Sequence, residues 1–240
     1  MSVTVVVPAY NEEGSIHELL GLIENLSAKS NLQVSLTFIE NGSLDSTQES
    51  IEKELRLYPD LDAQVVLLNS NIGYGGAMKL GVEKAQSENV LLIPADGKYS
   101  LEDILAVCAE YFSKKDLRLM VKGERVIRND PRSVQYLSKT LTWITNFLFR
   151  TSLRDVNGLP KILNRNLISD QLAFLPNDAC FDVGLVALWR KNGGITSEIP
   201  VLFTQKNLTN TSWAGKRLKV SSRMLAGIFR VYLRSRNWKI

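Results

Sequence analysis

Cysteine is nearly absent. The 240 residues hold only Cys108 and Cys180, far apart and without CxxC spacing. That excludes a disulfide framework, and both read as reduced thiols in the core of a cytosolic protein. Histidine is scarcer still. The single copy, His17, falls in an amphipathic stretch and reads as a helix-surface residue, not a catalyst. No apolar run reaches the roughly 18 residues needed to span a bilayer. The opening "MSVTVVVPAY" lacks the basic leader and long apolar region of a secretory signal, so none is expected. No GxGxxG follows the first apolar run, which argues against a dinucleotide-binding oxidoreductase. Charge of neither sign dominates: the net value is +4. That balance permits an anionic ligand or membrane surface and does not call for nucleic acid.

What is present is the composition of a soluble globular protein, 45% hydrophobic and 22% charged, long enough to bury a sizeable core. The first half alternates. "VTVVVPA", "QVSLTFIE", "AQVVLLN", "NVLLIPA" and "LRLMVKG" are short apolar or β-branched runs and read as strands. Between them "EGSIHELLGLIENLSA", "DSTQESIEKELRLY", "GGAMKLGVEKAQ" and "SLEDILAVCAEYFSKK" carry helical stripes, such as Ile16, Leu19, Leu20, Ile23 and Leu26. Strict β-α alternation predicts an α/β fold with a mostly parallel central sheet and helices on both faces. Beyond about residue 125 the alternation lapses. "RSVQYLSKTLTWITNFLF" and "FDVGLVALWRKN" read as helices, "LPKILNR" and "GGITSEIPVLF" as strands. No linker or repeat separates the halves, so residues 1–213 are expected to form one domain, with 1–124 and 125–213 as its two halves.

Ligands of such sheets bind beyond the carboxyl ends of the strands. "PAYNEE", "ENGSLD", "NSNIGYGGA", "PADGKYS" and "KGER" each follow a strand and are polar or rich in glycine. Pro8 ends a strand where its missing N–H does no harm. Tyr10 can flank a base and Glu12 can accept from a ribose or base, although Asn11 to Glu13 also suit a helix cap. Asn41 both donates and accepts, and its Asn-Gly pair also makes an ordinary turn. Gly73, Gly75 and Gly76 before a helix allow close backbone approach to phosphate, with Asn71 beside them and Lys79 one turn on.

Taken in order, "VTVVVPAYNEE", "ENGSLDST", "NIGYGGAMKLGVEKA" and "LLIPADGKYSLEDI" resemble a family 2 glycosyltransferase of the GT-A fold. More loosely, "RDVNGLPKILNR" and "FDVGLVALWRKNGGITSEIPV" resemble its polyprenyl-phosphate sugar transferases. The resemblance implies that Pro8, Tyr10, Glu12, Glu40, Asn41, Asn71, Gly73, Gly75, Gly76, Lys79, Ala95 and Asp96 line a nucleotide-sugar site. Glu40 and Asn41 stand where the family usually has two acids around the base. Asn41 suits the imide edge of uracil, which favours a UDP-sugar over a GDP-sugar. The family's acidic motif is usually Asp-X-Asp and here reads Pro94-Ala95-Asp96. The retained Asp96 is the expected ligand of Mg²⁺ or Mn²⁺, because such ions need only one or two carboxylates beside diphosphate oxygens and water. Arg125 is expected to hold an acceptor phosphate by its fork. Asp155 and Asp182 are the remaining acids in family-like motifs. Either could serve as general base toward a sugar hydroxyl, and neither is needed toward a phosphate.

The implied activity is inverting transfer of a sugar to a polyprenyl phosphate at the cytoplasmic membrane face. Two alternatives stand beside it: transfer to a hydroxyl of a surface glycan, and a nucleotide-sugar-binding homologue without turnover. In the family an Arg and a Gly-Ser-Lys follow "EIPV"; here Lys206 stands for the Arg and the glycine is missing. The tail, 214–240, is expected to be a basic amphipathic helix. Leu218, Leu225, Ile228, Phe229 and Tyr232 follow helical spacing among Lys216, Arg217, Lys219, Arg223, Arg230, Arg234 and Arg236, with no acid after Glu198. Apolar stripe and unopposed positive charge together suit an anionic membrane surface. A helix packed on the protein's own core is the alternative.

Overall fold

The computed structural model describes residues 1–96, 99–128, 132–203 and 217–238. The Lys206 expectation lies outside them. The alternating half folds as its periodicities dictate. Strands β1 (Ser2–Ala9), β2 (Gln33–Glu40), β3 (Asp62–Leu67) and β4 (Asn89–Leu92) are all parallel, in the order β3-β2-β1-β4. Val3, Val5, Val6 and Val7 of β1 are all buried, as expected for a central strand covered on both faces. Helices α1 (Ile16–Lys29), α2 (Thr47–Leu55), α3 (Tyr74–Lys84) and α4 (Leu101–Lys114) make the crossovers. The stripe Ile16, Leu19, Leu20, Ile23 and Leu26 is the buried face of α1. His17 lies on its outer side and meets Glu54 (2.8 Å). Cys108 and Cys180 are free and buried.

The second half extends the same sheet instead of building another. Strand β5 (Leu119–Arg128) is followed by helix α5 (Arg132–Phe149), β6 (Lys161–Asn164), helix α6 (Phe181–Lys191), β7 (Ile195–Phe203) and helix α7 (Arg217–Ser235). The complete order is β3-β2-β1-β4-β6-β5-β7. β6 lies between β4 and β5 and runs antiparallel to both, while β7 is parallel to β5. Reversal brings the chain before β6, not the chain after it, to the carboxyl ends of β4 and β5. A register irregularity between Arg125 and Ile127 marks the end of β5, a device that re-aims side chains next to sites.

Half of α7 folds back on the protein. Ile228 and Val231 are buried, Tyr232 meets Phe149 edge-on (5.9 Å), and Trp238 stacks on Phe174 (5.8 Å). Lys191 Nζ donates to the carbonyls of Ser235 (2.8 Å) and Trp238 (2.6 Å), closing the helix end. Of the apolar residues in its described second half, Phe229 and Leu233 stay exposed.

Candidate functional site

The loops after the strands are sewn to one another in sequence. Behind β1, the Asn11 N–H donates to Ser43 Oγ (3.1 Å), Asn11 Oδ1 accepts from the Leu44 N–H (2.8 Å), and the Glu12 N–H donates to Thr47 Oγ1 (2.8 Å). Pro8 stands past the last β1–β4 pair, Val6 with Leu92, so its missing N–H takes nothing from that ladder. Tyr10 is exposed at the rim. Behind β2, Glu40 turns its carboxylate back onto its own loop and accepts from the N–H groups of Gly42 (3.2 Å) and Ser43 (2.7 Å).

Asn41 is buried and clasps the next loop. Its amide donates to Asn71 Oδ1 (3.2 Å) and the Gly73 carbonyl (3.4 Å) and accepts from the Ile72 N–H (3.0 Å). The amide expected to meet uracil is thus engaged with the 71–73 turn. The glycines meet a partner of the protein's own making. A Cβ on Gly73, where φ is +85°, would stand 2.3 Å from the Asn177 carbonyl oxygen. One on Gly75 would stand 2.2 Å from that of Pro176. The Gly76 N–H donates to the Asn177 carbonyl (3.0 Å), and Lys79 Nζ donates to the Leu175 carbonyl (2.9 Å) and to Asn177 Oδ1. Burial lowers the Lys79 pKa. The close approach anticipated from the glycines is real, and it is made by the 175–178 segment. A cleft of about 640 Å³ opens beside this contact, with Lys79, Asn177, Arg230 and Arg234 in its wall. Neither Asp96 nor Arg125 lines it.

The four residues expected to do chemistry converge elsewhere, around two tyrosines that sequence reasoning passed over. Tyr74 opens α3 and meets Phe181 at the start of α6 edge-on (6.0 Å). Tyr99 is the sixth residue of "PADGKYS". Burial raises the pKa of both phenols. Tyr99 feels Arg125, Asp96, Asp155 and Asp182, and Tyr74 feels Asp182, Tyr99 and Asp96. The end of β4, the end of β5, the chain before β6 and the start of α6 therefore share one locus at the carboxyl edge, and Ala95, next to Asp96, is buried. Both tyrosines lie inside the motifs, "NIGYGGA" and "PADGKYS". A tyrosine within each loop motif was the signal available, between glycines at Tyr74 and two residues after Gly97 at Tyr99.

Arg125 and Asp155 form a bidentate pair, Nε to Oδ2 at 2.6 Å and Nη2 to Oδ1 at 2.8 Å. Burial alone would raise the Asp155 pKa, but the Arg125 guanidinium and Lys122 outweigh it and hold the carboxyl well below the usual range. A carboxylate held so low is a poor general base. Asp182 pairs with the buried Lys161 ammonium. Sequence reasoning also missed a row of charge across three strands. Lys161 of β6 faces Lys122 of β5, and Lys122 faces Glu198 of β7. Lys122 Nζ donates to Glu198 Oε1 (3.2 Å) and to the Asp155 carbonyl. Glu198 also accepts from the N–H groups of Arg154 (2.7 Å) and Asp155 (3.1 Å). Lysines in a strand read as surface from sequence, and only their counter-ions, far along the chain, mark them as interior.

A divalent ion has a restricted donor set. Among the described residues no group of three or more His, Cys, Asp or Glu could hold one. A single carboxylate at Asp96 fits an ion that takes its other ligands from a diphosphate and water.

Known proteins resemble the chain in sequence and in fold. Glycosyl transferase family 2 matches residues 4–166. The chain is 24% identical over 90% of its length to an undecaprenyl-phosphate 4-deoxy-4-formamido-L-arabinose transferase of Pseudomonas fluorescens, and spans 61% of that protein. It is 25% identical over 90% of its length to a polyprenol monophosphomannose synthase of Mycolicibacterium smegmatis, 82% of which is covered. Among solved structures, mannosyl-3-phosphoglycerate synthase from Rubrobacter xylanophilus superposes with a TM-score of 0.74 at 16% identity, over 99% of this chain and 75% of that one. Glucosyl-3-phosphoglycerate synthase from Mycobacterium tuberculosis, in complex with Mn²⁺, UDP and glucosyl-3-phosphoglycerate, gives 0.71 at 15% identity, over 100% of this chain and 81% of that one. The fold is the GT-A fold.

Proposed function

The chain belongs to glycosyl transferase family 2, and from that premise we propose that it transfers a sugar from a nucleotide-sugar to a polyprenyl phosphate at the cytoplasmic face of a membrane. The observation that carries this reading is the convergence of Asp96, Arg125, Asp155 and Asp182 on Tyr99. It sets an acid at the end of β4 beside an arginine at the end of β5, which suits a donor diphosphate meeting an acceptor phosphate. The named relatives supply the acceptor class. Asp96 is the residue that would hold Mg²⁺ or Mn²⁺ against the donor diphosphate, and the ion would supply charge for the departing nucleoside diphosphate.

In this reading a phosphate oxygen of the acceptor attacks the anomeric carbon. The new carbon–oxygen bond forms as the bond to the diphosphate breaks, and the centre inverts. The phosphate is already anionic at neutral pH, so no base is required. That accords with Asp155 being committed to Arg125. Arg125 is held in place by that pair and presents a fixed cation to the phosphate. The loops carrying Tyr10, Glu12, Glu40, Asn41 and Asn71 form the wall for the nucleoside. UDP is favoured over GDP as the nucleotide, with support from the UDP complex of the same fold and not from Asn41.

Radiolabelled UDP- and GDP-sugars incubated with a lipid extract test the proposal. Label in lipid from a UDP-sugar is expected. Label only in glycan would move the acceptor to a hydroxyl, and nucleotide binding without transfer would leave a binding protein.

A further inference from the structure

Helix α5 carries aromatic residues on the side that the fold leaves bare. Its inner face is made by Leu141, Thr142 and Thr145, all buried. On the other side Tyr136, Trp143 and Phe147 are 69%, 67% and 74% exposed. Their spacing of seven and four residues puts them on one stripe. Trp143 and Phe147 stack with centroids 6.1 Å apart and planes within 15°, forming a flat aromatic plate. Large aromatics so exposed and so aligned are uncommon on a surface that meets only water.

We propose that this stripe is a docking surface for an anionic lipid bilayer, with α5 lying along the interface. Three observations favour lipid over a protein partner. The helix has no Asp or Glu in any of its 18 residues, and exposed Arg132 and Lys139, with Arg150 just past its end, surround the stripe. Trp, Tyr and Phe at the edge of a basic helix are the side chains that settle at the headgroup level. Finally, α7 packs beside α5 through Phe149 and Tyr232 and adds exposed Phe229 and Leu233 with Arg223, Arg230, Arg234 and Arg236. No described helix is long and apolar enough to cross a membrane, so the contact is one of lying on the surface.

The surface is tied to the site. Near the end of α5, Asn146 Nδ2 donates to the Leu153 carbonyl (2.7 Å), and Asn146 Oδ1 accepts from the Leu153 N–H (3.1 Å) and Thr151 Oγ1 (2.7 Å). The Val156 N–H donates to Thr142 Oγ1 (3.3 Å). The segment bearing Asp155 is therefore clamped to the helix that would rest on lipid. This inference deepens the lipid-acceptor reading and can fail separately from it, because its test contains neither donor nor acceptor.

The test is co-sedimentation of the full chain with vesicles of phosphatidylcholine alone and of phosphatidylcholine with one-third phosphatidylglycerol. Binding to the second is expected, weakened several-fold by added salt. The Trp143→Ala/Phe147→Ala variant, altered only at exposed positions, should bind at least tenfold more weakly while keeping its thermal transition. With Trp213, which lies outside the described residues, replaced by Phe and with Trp189 and Trp238 buried, brominated lipid should quench Trp143 fluorescence, and Trp143→Phe should lose the quenching while still binding. Undiminished binding of the double variant, or absence of quenching, would overturn the proposal. So would a wild-type dimer that the variant converts to monomer without any binding to vesicles, which would assign the stripe to a second copy of this chain. Transfer to a soluble short-chain prenyl phosphate should be unaffected by these variants. Loss of that activity in the wild type would count against the transferase reading and not against the surface.

Discussion

Lys122 and Lys161 face each other across neighbouring strands with both side chains fully removed from water. Each ammonium turns to its own acid, Glu198 and Asp182. Burial, and then the neighbouring Lys161 charge, push the Lys122 pKa down to about 8. The unfolded chain, with a lysine near 10.4, binds more protons than the folded one between these values. Stability contributed through Lys122 is therefore lowest below about pH 8 and rises as pH climbs toward 10, by up to about 1.4 kcal/mol per unit. Urea unfolding of the wild type and Lys122→Met at pH 7.5 and 9.5 should show the wild type gaining on the variant. Parallel profiles would mean that Lys122 stays protonated throughout.

The Arg125–Asp155 pair has the same slope with pH, because its carboxyl is also depressed in the folded state, but its contribution is favourable at neutral pH. Asp155→Asn removes the carboxylate from a mostly buried guanidinium, and breaking such a pair costs about 3–5 kcal/mol. The folded pKa lies well below the unfolded value near 3.9, so the contribution is full above about pH 4 and is lost progressively as pH falls from there toward the folded value. The gap between wild type and variant should be full at pH 7, mostly kept near pH 3 and clearly smaller at pH 2. A gap as large at pH 2 as at pH 7 would show that charge is not its origin.

Asn41 yields a prediction against simple base reading. Asn41→Asp places a carboxylate against Asn71 Oδ1 and the Gly73 carbonyl, where an amide now donates. A loss of about 1–3 kcal/mol in stability is expected from the unsatisfied acceptors, with UDP and GDP affinity weakened by similar factors. A clean switch of preference to GDP at unchanged stability would return the base-reading role to this residue.

For Asp96, Ala substitution should remove the Mn²⁺-dependent part of UDP affinity, tenfold or more, and leave any metal-independent part. Calorimetry of UDP with and without Mn²⁺ measures both. Equal affinity of wild type and variant in Mn²⁺ would take Asp96 out of the metal's reach.

The first half of this fold was legible because each of its elements states its own period. β1 is apolar at every position but Ser2 and Thr4 and α1 at every third or fourth, and parallel order follows from their alternation. β6 was legible as a strand and not as a neighbour. Nothing in "KILN" says that it enters between β4 and β5 or that it runs backwards, since strand partners are chosen by packing far along the chain. The site divides the same way. Asp96, Arg125, Asp155 and Asp182 stand at element ends and could be named. Lys122, Lys161 and Glu198 sit within strands, where a charge signals solvent unless its partner is known. The apolar stripe of the tail was visible as a stripe, but not that Ile228 would turn it inward while α5 presented Trp143 and Phe147 outward.

The row Lys161–Lys122–Glu198 is also expected to act as a proofreader of assembly. Successive residues of a strand point to opposite faces, so a slip of β6 by one position would offer Pro160 or Ile162 to Asp182 and send an ammonium into the opposite layer. A wholly apolar β6 would tolerate that error, whereas the buried charges reject it. Lys161→Met is then expected to keep much of its stability and lose the uniqueness of its pairing, which amide hydrogen exchange along β4 and β6 would register as lowered protection. Protection equal to that of the wild type would show that hydrophobic packing alone sets the alignment. The residues that gather charge at the sheet's carboxyl edge would, on this account, serve first during folding, before any ligand arrives.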